Sequence, residues 1–152
     1  MKRLVLIISM IWLCLPMWAG IHNYADHSVL KEGKVIKIRV SETGVHCIPY
    51  DTLKAWGLQP EQVRILGYGG NMLSENFLLK KWDDLPSVAF YMHKGSDNTF
   101  NSGDYILFYA RGTVKWEYSG GRWHHTQHPY SLYGYYFVSD SAGEQKLVTE
   151  SE

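Results

Sequence analysis

His124, His125 and His128 sit close enough in the chain to hold a metal. Histidines at i and i+4 chelate zinc when a helix stacks them. Here Gly120, Gly121 and Pro129 flank the group and oppose a helix, and no acidic residue between them could act as the base of a zinc protease. They are expected to be structural or surface histidines. Asp97, Asn98, Asn101 and Asp104 gather four oxygen-bearing side chains in one loop. Calcium takes ligands of this kind, but an EF-hand loop closes on a bidentate Glu, and Phe108 stands in that position. Two readings follow. One is an Asx-turn loop whose side chains bond their own backbone, which the missing Glu favours. The other is weak calcium binding, the one cofactor the chain offers. Cys47 follows His46, but neighbours on a strand point to opposite faces, so they make no thiol–imidazole couple. Cys47 is expected in the core as a small hydrophobe.

Three further patterns fall short of a site. Asp83-Asp84 beside Trp82 invites a sugar-site reading, but adjacent acids in a loop lack the separation of an acid/base pair. Gly67-Tyr68-Gly69-Gly70 follows a strand without the Gly-Lys-Ser/Thr ending of a phosphate loop, so a tight turn with positive φ is expected. No serine occupies a Gly-x-Ser-x-Gly elbow. No catalytic residue is assigned to this chain.

The elements that would position these residues are short. Val35 to Val40 alternates, with Ile36, Ile38 and Val40 on one face and Lys37 and Arg39 on the other, the pattern of a half-buried strand. Ser41 to Gly44 reads as a turn leading into a second strand over Val45 to Ile48, as a hairpin. Asp51 to Gly57 predicts a short helix, capped by Asp51 and ended by Gly57. Strands follow at 63–66, 85–93, 104–110, 114–118 and 133–138, and another begins near 145–148. Asp104 to Ala110 is apolar at alternate and intervening positions alike, as in a central strand buried on both faces. Ser119-Gly120-Gly121-Arg122 is a hairpin turn. About seven short strands, Gly-rich turns and one small helix predict an all-β, antiparallel β-sandwich, jelly-roll-like.

Composition narrows the function. The 152 residues hold 15 Lys+Arg against 15 Asp+Glu, so no basic excess is present to displace counterions from a nucleic acid. Lys2 and Arg3 precede an apolar run to Trp18, and two cations before roughly 10–15 apolar residues are the layout of a secretory signal peptide. The expected organisation is a signal peptide over 1–19, a leader over 20–33, a β-sandwich over 34–148, and a linker over 149–152 that leads toward a further domain. Processing removes Cys14 and leaves Cys47 unable to form an internal disulfide, and no transmembrane span is expected after it.

Several blocks in order resemble the N-terminal segment of the type IX secretion system sortases, relatives of the gingipain cysteine peptidases. They are Ser28 to Ile38, Ser41 to Val45, the helix to Gly57, Val63 to Gly70, Phe100 to Gly112, His125 to Ser131, and Tyr135 to Phe137. The resemblance covers about residues 28–139. It implies an exported protein at the periplasm or cell surface of a Gram-negative bacterium. It also implies a β-rich, propeptide-like segment packing against a peptidase domain that carries the catalytic His and Cys, neither of which is matched here. The implied partners are that peptidase domain or other cell-envelope secretion components. Aromatics on the outer faces of strands 105–109 and 114–118 are the expected contact residues. The alternative is a stand-alone surface or carbohydrate-binding module.

Overall fold

A computed structural model describes residues 24–76, 79 and 82–149. The expected signal peptide and the end of the expected linker lie outside these residues. In chain order the elements are β1 (Val35–Val40), β2 (Gly44–Pro49), α1 (Tyr50–Ala55), a 3-10 turn (Pro60–Gln62), β3 (Arg64–Gly69), β4 (Ser87–Val88), β5 (Phe90–His93), β6 (Tyr105–Ala110), β7 (Val114–Ser119), β8 (Arg122–Gln127), β9 (Gly134–Ser139) and β10 (Leu147–Val148). Sheet A has the order β1-β9-β3-β4, sheet B the order β10-β5-β6-β2, and β7 and β8 form a separate ribbon. Pairing is antiparallel except between β10 and β5. The fold is an all-β sandwich with one short helix.

Each sheet contributes one apolar face to a shared core. Ile65, Val138 and Tyr136 come from sheet A, and Phe90, Ile106 and Phe108 from sheet B. The rings of Phe108 and Tyr136 meet edge to face at 5.6 Å, bridging the sheets. Burying side chains of this size contributes about 1.5–3 kcal/mol apiece. The helix plugs one end with fully buried Leu53. It ends as expected at Gly57, whose φ is +71. Gly57 N–H donates to the Lys54 carbonyl and Leu58 N–H to the Leu53 carbonyl, the paired bonds of a Schellman ending.

The elements depart from the sequence-based picture in four respects. First, β1 and β2 form no hairpin: β1 pairs with β9 and β2 with β6. Ser41 to Thr43 carries the chain from one sheet to the other, so that both strands bury an apolar face in the same core from opposite sides. Gly112 packs against this crossover. Its N–H donates to Thr43 Oγ1 at 2.9 Å, and a Cβ there would lie 2.8 Å from the Glu42 carbonyl carbon. Second, Pro49, not Asp51, precedes the helix, and no side chain caps it. Asp51 instead accepts a bond from Ser102 Oγ at 3.0 Å. Third, the 67–70 glycines form no tight turn. Gly67 and Gly69 continue β3 through a register shift between Leu66 and Gly69. The positive φ is there, +80 at Gly69, where a Cβ would come within 2.6 Å of the Tyr136 hydroxyl; only glycine fits. Fourth, β6 is buried on one face alone. Ile106, Phe108 and Ala110 point inward, while Tyr109 on the other face is 54% exposed.

Candidate functional site

The residues singled out for chemistry are not brought together. β8 sends His124 and His125 to opposite faces of the ribbon. His124 Nε2 lies 3.2 Å from the Ser119 carbonyl, the His125 ring rests 5.0 Å from Trp116, and His128 Nδ1 accepts the Tyr130 N–H. His46 turns inward, its ring 5.9 Å from that of Phe108, while Cys47 is exposed. The expectation of a core cysteine fails because Ile48 takes the inward position of β2. No group of three or more His, Cys, Asp or Glu able to hold a metal occurs among the described residues.

The 95–104 loop uses its carboxylates on itself. Buried Asp104 accepts the Gly95 N–H at 3.0 Å and the Asn101 N–H at 2.8 Å. Asp97 accepts the Thr99 N–H at 3.0 Å and the Asn101 side-chain amide at 2.8 Å, bonds that hold its carboxyl below the usual range. Asn98 adopts a φ of +56, the left-handed conformation Asn tolerates in turns. These bonds close the connection between β5 and β6.

Asp83 and Asp84 do a similar job for the leader. Asp83 accepts the Ala25 N–H, and Asp84 accepts the Val29 N–H, the Ser28 hydroxyl at 3.3 Å and the Leu85 N–H at 2.7 Å. Burial pushes the Asp84 carboxyl upward, but these donors outweigh it and hold it below the usual carboxylate range. Tyr68 donates to the Asp84 carbonyl at 2.6 Å. Burial, then the charges of Asp84 and Asp83, push its hydroxyl up.

What the fold does assemble is a sheet face that the described residues leave uncovered. Cross-strand partners project to the same side, so Val45 joins Tyr109, Cys47 joins Leu107 and Pro49 joins Tyr105 on the outside of sheet B. Tyr91 and Val148 extend the Leu107 row across β5 and β10. His93 stacks on Tyr105 at 4.6 Å. Among the described residues of sheet B, no Lys, Arg, Asp or Glu occupies an outward strand position. Val45 is 69% exposed, and a shallow depression of about 340 Å³ opens between Val45, Leu107, Tyr109 and Val148.

The ribbon is a second aromatic surface. Trp116 lies opposite His125 and Tyr118 opposite Trp123, with the latter two rings 5.3 Å apart. Lys115, Glu117, Arg122 and His124 take the other face. Gly120 and Gly121, with φ of +58 and +79, supply the tight turn. Trp116, Tyr118 and Trp123 are all exposed. A third feature, a cleft of about 600 Å³, is bounded by Tyr68, Trp82 and Tyr109 together with Arg111, Lys115 and Lys146, and among the described residues no carboxylate lines it.

Sequence reasoning anticipated the exposed aromatics of 105–109 and 114–118. It missed the sheet B face as a whole, because β2 was paired with the wrong strand. The signal is the two-sided apolar pattern of β6, of which the described residues bury one side.

Geometry therefore defines a β-sandwich module with uncovered apolar surface and no reactive constellation among the described residues. The crystal structure of dimeric latent PorU from Porphyromonas gingivalis contains a segment similar to it, with 34% sequence identity and a TM-score of 0.70 over 85% of this chain. The chain spans 11% of that PorU chain. No family model matches the chain, and no curated protein does. The resemblance read from the ordered sequence blocks is thus met by a likeness in both fold and sequence to a part of PorU. No described helix is long and apolar enough to cross a membrane.

Proposed function

We propose that this chain is the non-catalytic N-terminal module of a PorU-like, gingipain-related sortase of the type IX secretion system. It is exported to the periplasm or cell surface of a Gram-negative bacterium. It packs against a peptidase domain and so serves in processing and surface attachment of secreted cargo. The observation that carries the reading is the likeness to a segment occupying 11% of a PorU chain. In that proportion, most of such a protein lies outside the module, and reactivity is expected there. The separation of His46 from Cys47 on opposite faces of β2 supports the same assignment. Co-expressed with the peptidase region of a PorU-type sortase, the chain is expected to co-purify with it. Separate elution at micromolar concentration would contradict the reading. So would peptide hydrolysis by the purified chain that disappears in Cys47→Ala.

The cleft favours a second reading, a carbohydrate-binding surface module. Trp82, Tyr68 and Tyr109 offer ring faces for stacking, and Arg111, Lys115 and Lys146 offer donors for acidic groups. A glycan array combined with a pull-down from envelope extract separates the two readings. Sugar binding without a protein partner supports the second.

A further inference from the structure

The two faces of β6 have the same chemistry and different fates. Ile106, Phe108 and Ala110 are buried in the core, whereas Tyr105, Leu107 and Tyr109 point away from it. A strand apolar on both sides is the pattern of a strand covered on both sides, and the described residues cover only one. β2 repeats the pattern with Val45 and Cys47 outward. We propose that the outer face of sheet B, including Val45 and Cys47 on β2 and Leu107 and Tyr109 on β6, is the docking surface for the peptidase domain.

This inference rests on the functional reading above and specifies the surface it uses. Three observations select that occupant. The face carries no outward charge, and charge-poor apolar surface suits a permanent partner better than a transient one. The aliphatic part of the face, Val45, Leu107 and Val148, also offers a saccharide no hydrogen bonds. Finally, β10 forms the edge of sheet B and contributes Val148 to the face, and Thr149 lines a groove beside it. Polypeptide continuing from β10 in a PorU-like arrangement would start at this surface.

Cys47 provides a native probe on the edge strand β2 of the face, opposite Leu107. The test compares maleimide labelling of Cys47 in the chain alone and in the complex with the peptidase region, whose own cooperative melt establishes that it is folded. Labelling is expected to be at least tenfold slower in the complex. Val45→Asp, at a site exposed enough to leave folding intact, is expected to abolish co-purification. Lys37→Glu, on the outside of sheet A, is expected to preserve it. A complex that forms with unchanged Cys47 labelling, or that survives Val45→Asp and is lost in Lys37→Glu, overturns the choice of face and leaves the functional reading standing. Failure of any complex to form overturns both. Protection of Cys47 that rises with the chain's own concentration, without the peptidase region, overturns the occupant and assigns the face to a second copy.

Discussion

The outer faces of the two sheets are made of similar side chains and finished in opposite ways. On sheet A, Lys37 Nζ lies 4.1 Å over the Tyr135 ring and the Arg39 guanidinium 4.7 Å over Tyr133. Farther along, the chain folds back over the sheet. Buried Ser139 Oγ accepts the Ser141 and Ala142 N–H groups at 3.2 and 3.1 Å. The returning segment reaches Leu66 so closely that a Cβ on Gly143 would come within 2.6 Å of it. Sheet A is thus dressed for water by cations and by its own loop. Among the described residues, sheet B has neither device. The difference shows that this chain can cover an apolar sheet with its own residues, and it supports the proposal that a partner covers the face of sheet B that the described residues leave exposed.

Truncation should expose the contrast most strongly. Leu66 points outward from sheet A yet is fully buried under its covering loop, so Leu66→Ala is expected to cost about 2–5 kcal/mol. Leu107, outward on sheet B and only half-buried, should cost about 1 kcal/mol or less when changed to Ala in the isolated chain. Denaturant melts of the two variants measure this directly, and equal losses would erase the distinction between the faces.

A smaller effect is expected from the brace of sheet B. Asp104→Ala leaves the Gly95 and Asn101 N–H groups without their acceptor, at about 1–3 kcal/mol. The same melts check it, and an unchanged midpoint would show that the β5–β6 connection does not depend on that carboxylate.

The leader's tie beside the edge of sheet A should respond to acid. The folded Asp84 carboxyl is held below its ordinary value. Its contribution is therefore complete above the usual carboxylate pKa of about 4 and is lost as pH falls through the lower folded value. An acid titration of the Val29 amide resonance should report the loss in that window. A transition above the ordinary carboxylate range would contradict the sign. Smallest of all is Lys37→Ala, which removes one cation from an exposed ring and should cost about 0.5–1 kcal/mol.

Much of the fold was legible in the sequence. Alternation placed β1 and β7, and the Gly120-Gly121 pair placed the ribbon turn. Gly57 located the end of the helix. Pairing was not legible where partners are distant: β1 meets β9 and β2 meets β6, and local alternation is identical for a hairpin and for a crossover between sheets. Asp51 has the right chemistry for a cap, but Ser102 engages it instead. The candidate surface was half legible. The pattern of β6 specified two covered faces, and a sequence pattern does not say whether the cover belongs to the same domain.

The central claim is that the outside of sheet B meets a protein partner and the outside of sheet A meets water. A soluble paramagnetic agent tests it most directly, through relaxation of the Val45, Leu107 and Val148 methyl groups compared with Val35 on sheet A. In the isolated chain all four should relax faster on adding the agent. In the complex with the peptidase region, the enhancement should vanish at Val45, Leu107 and Val148 and persist at Val35. Enhancement retained at the three sheet B methyls while Val35 becomes shielded would contradict the account.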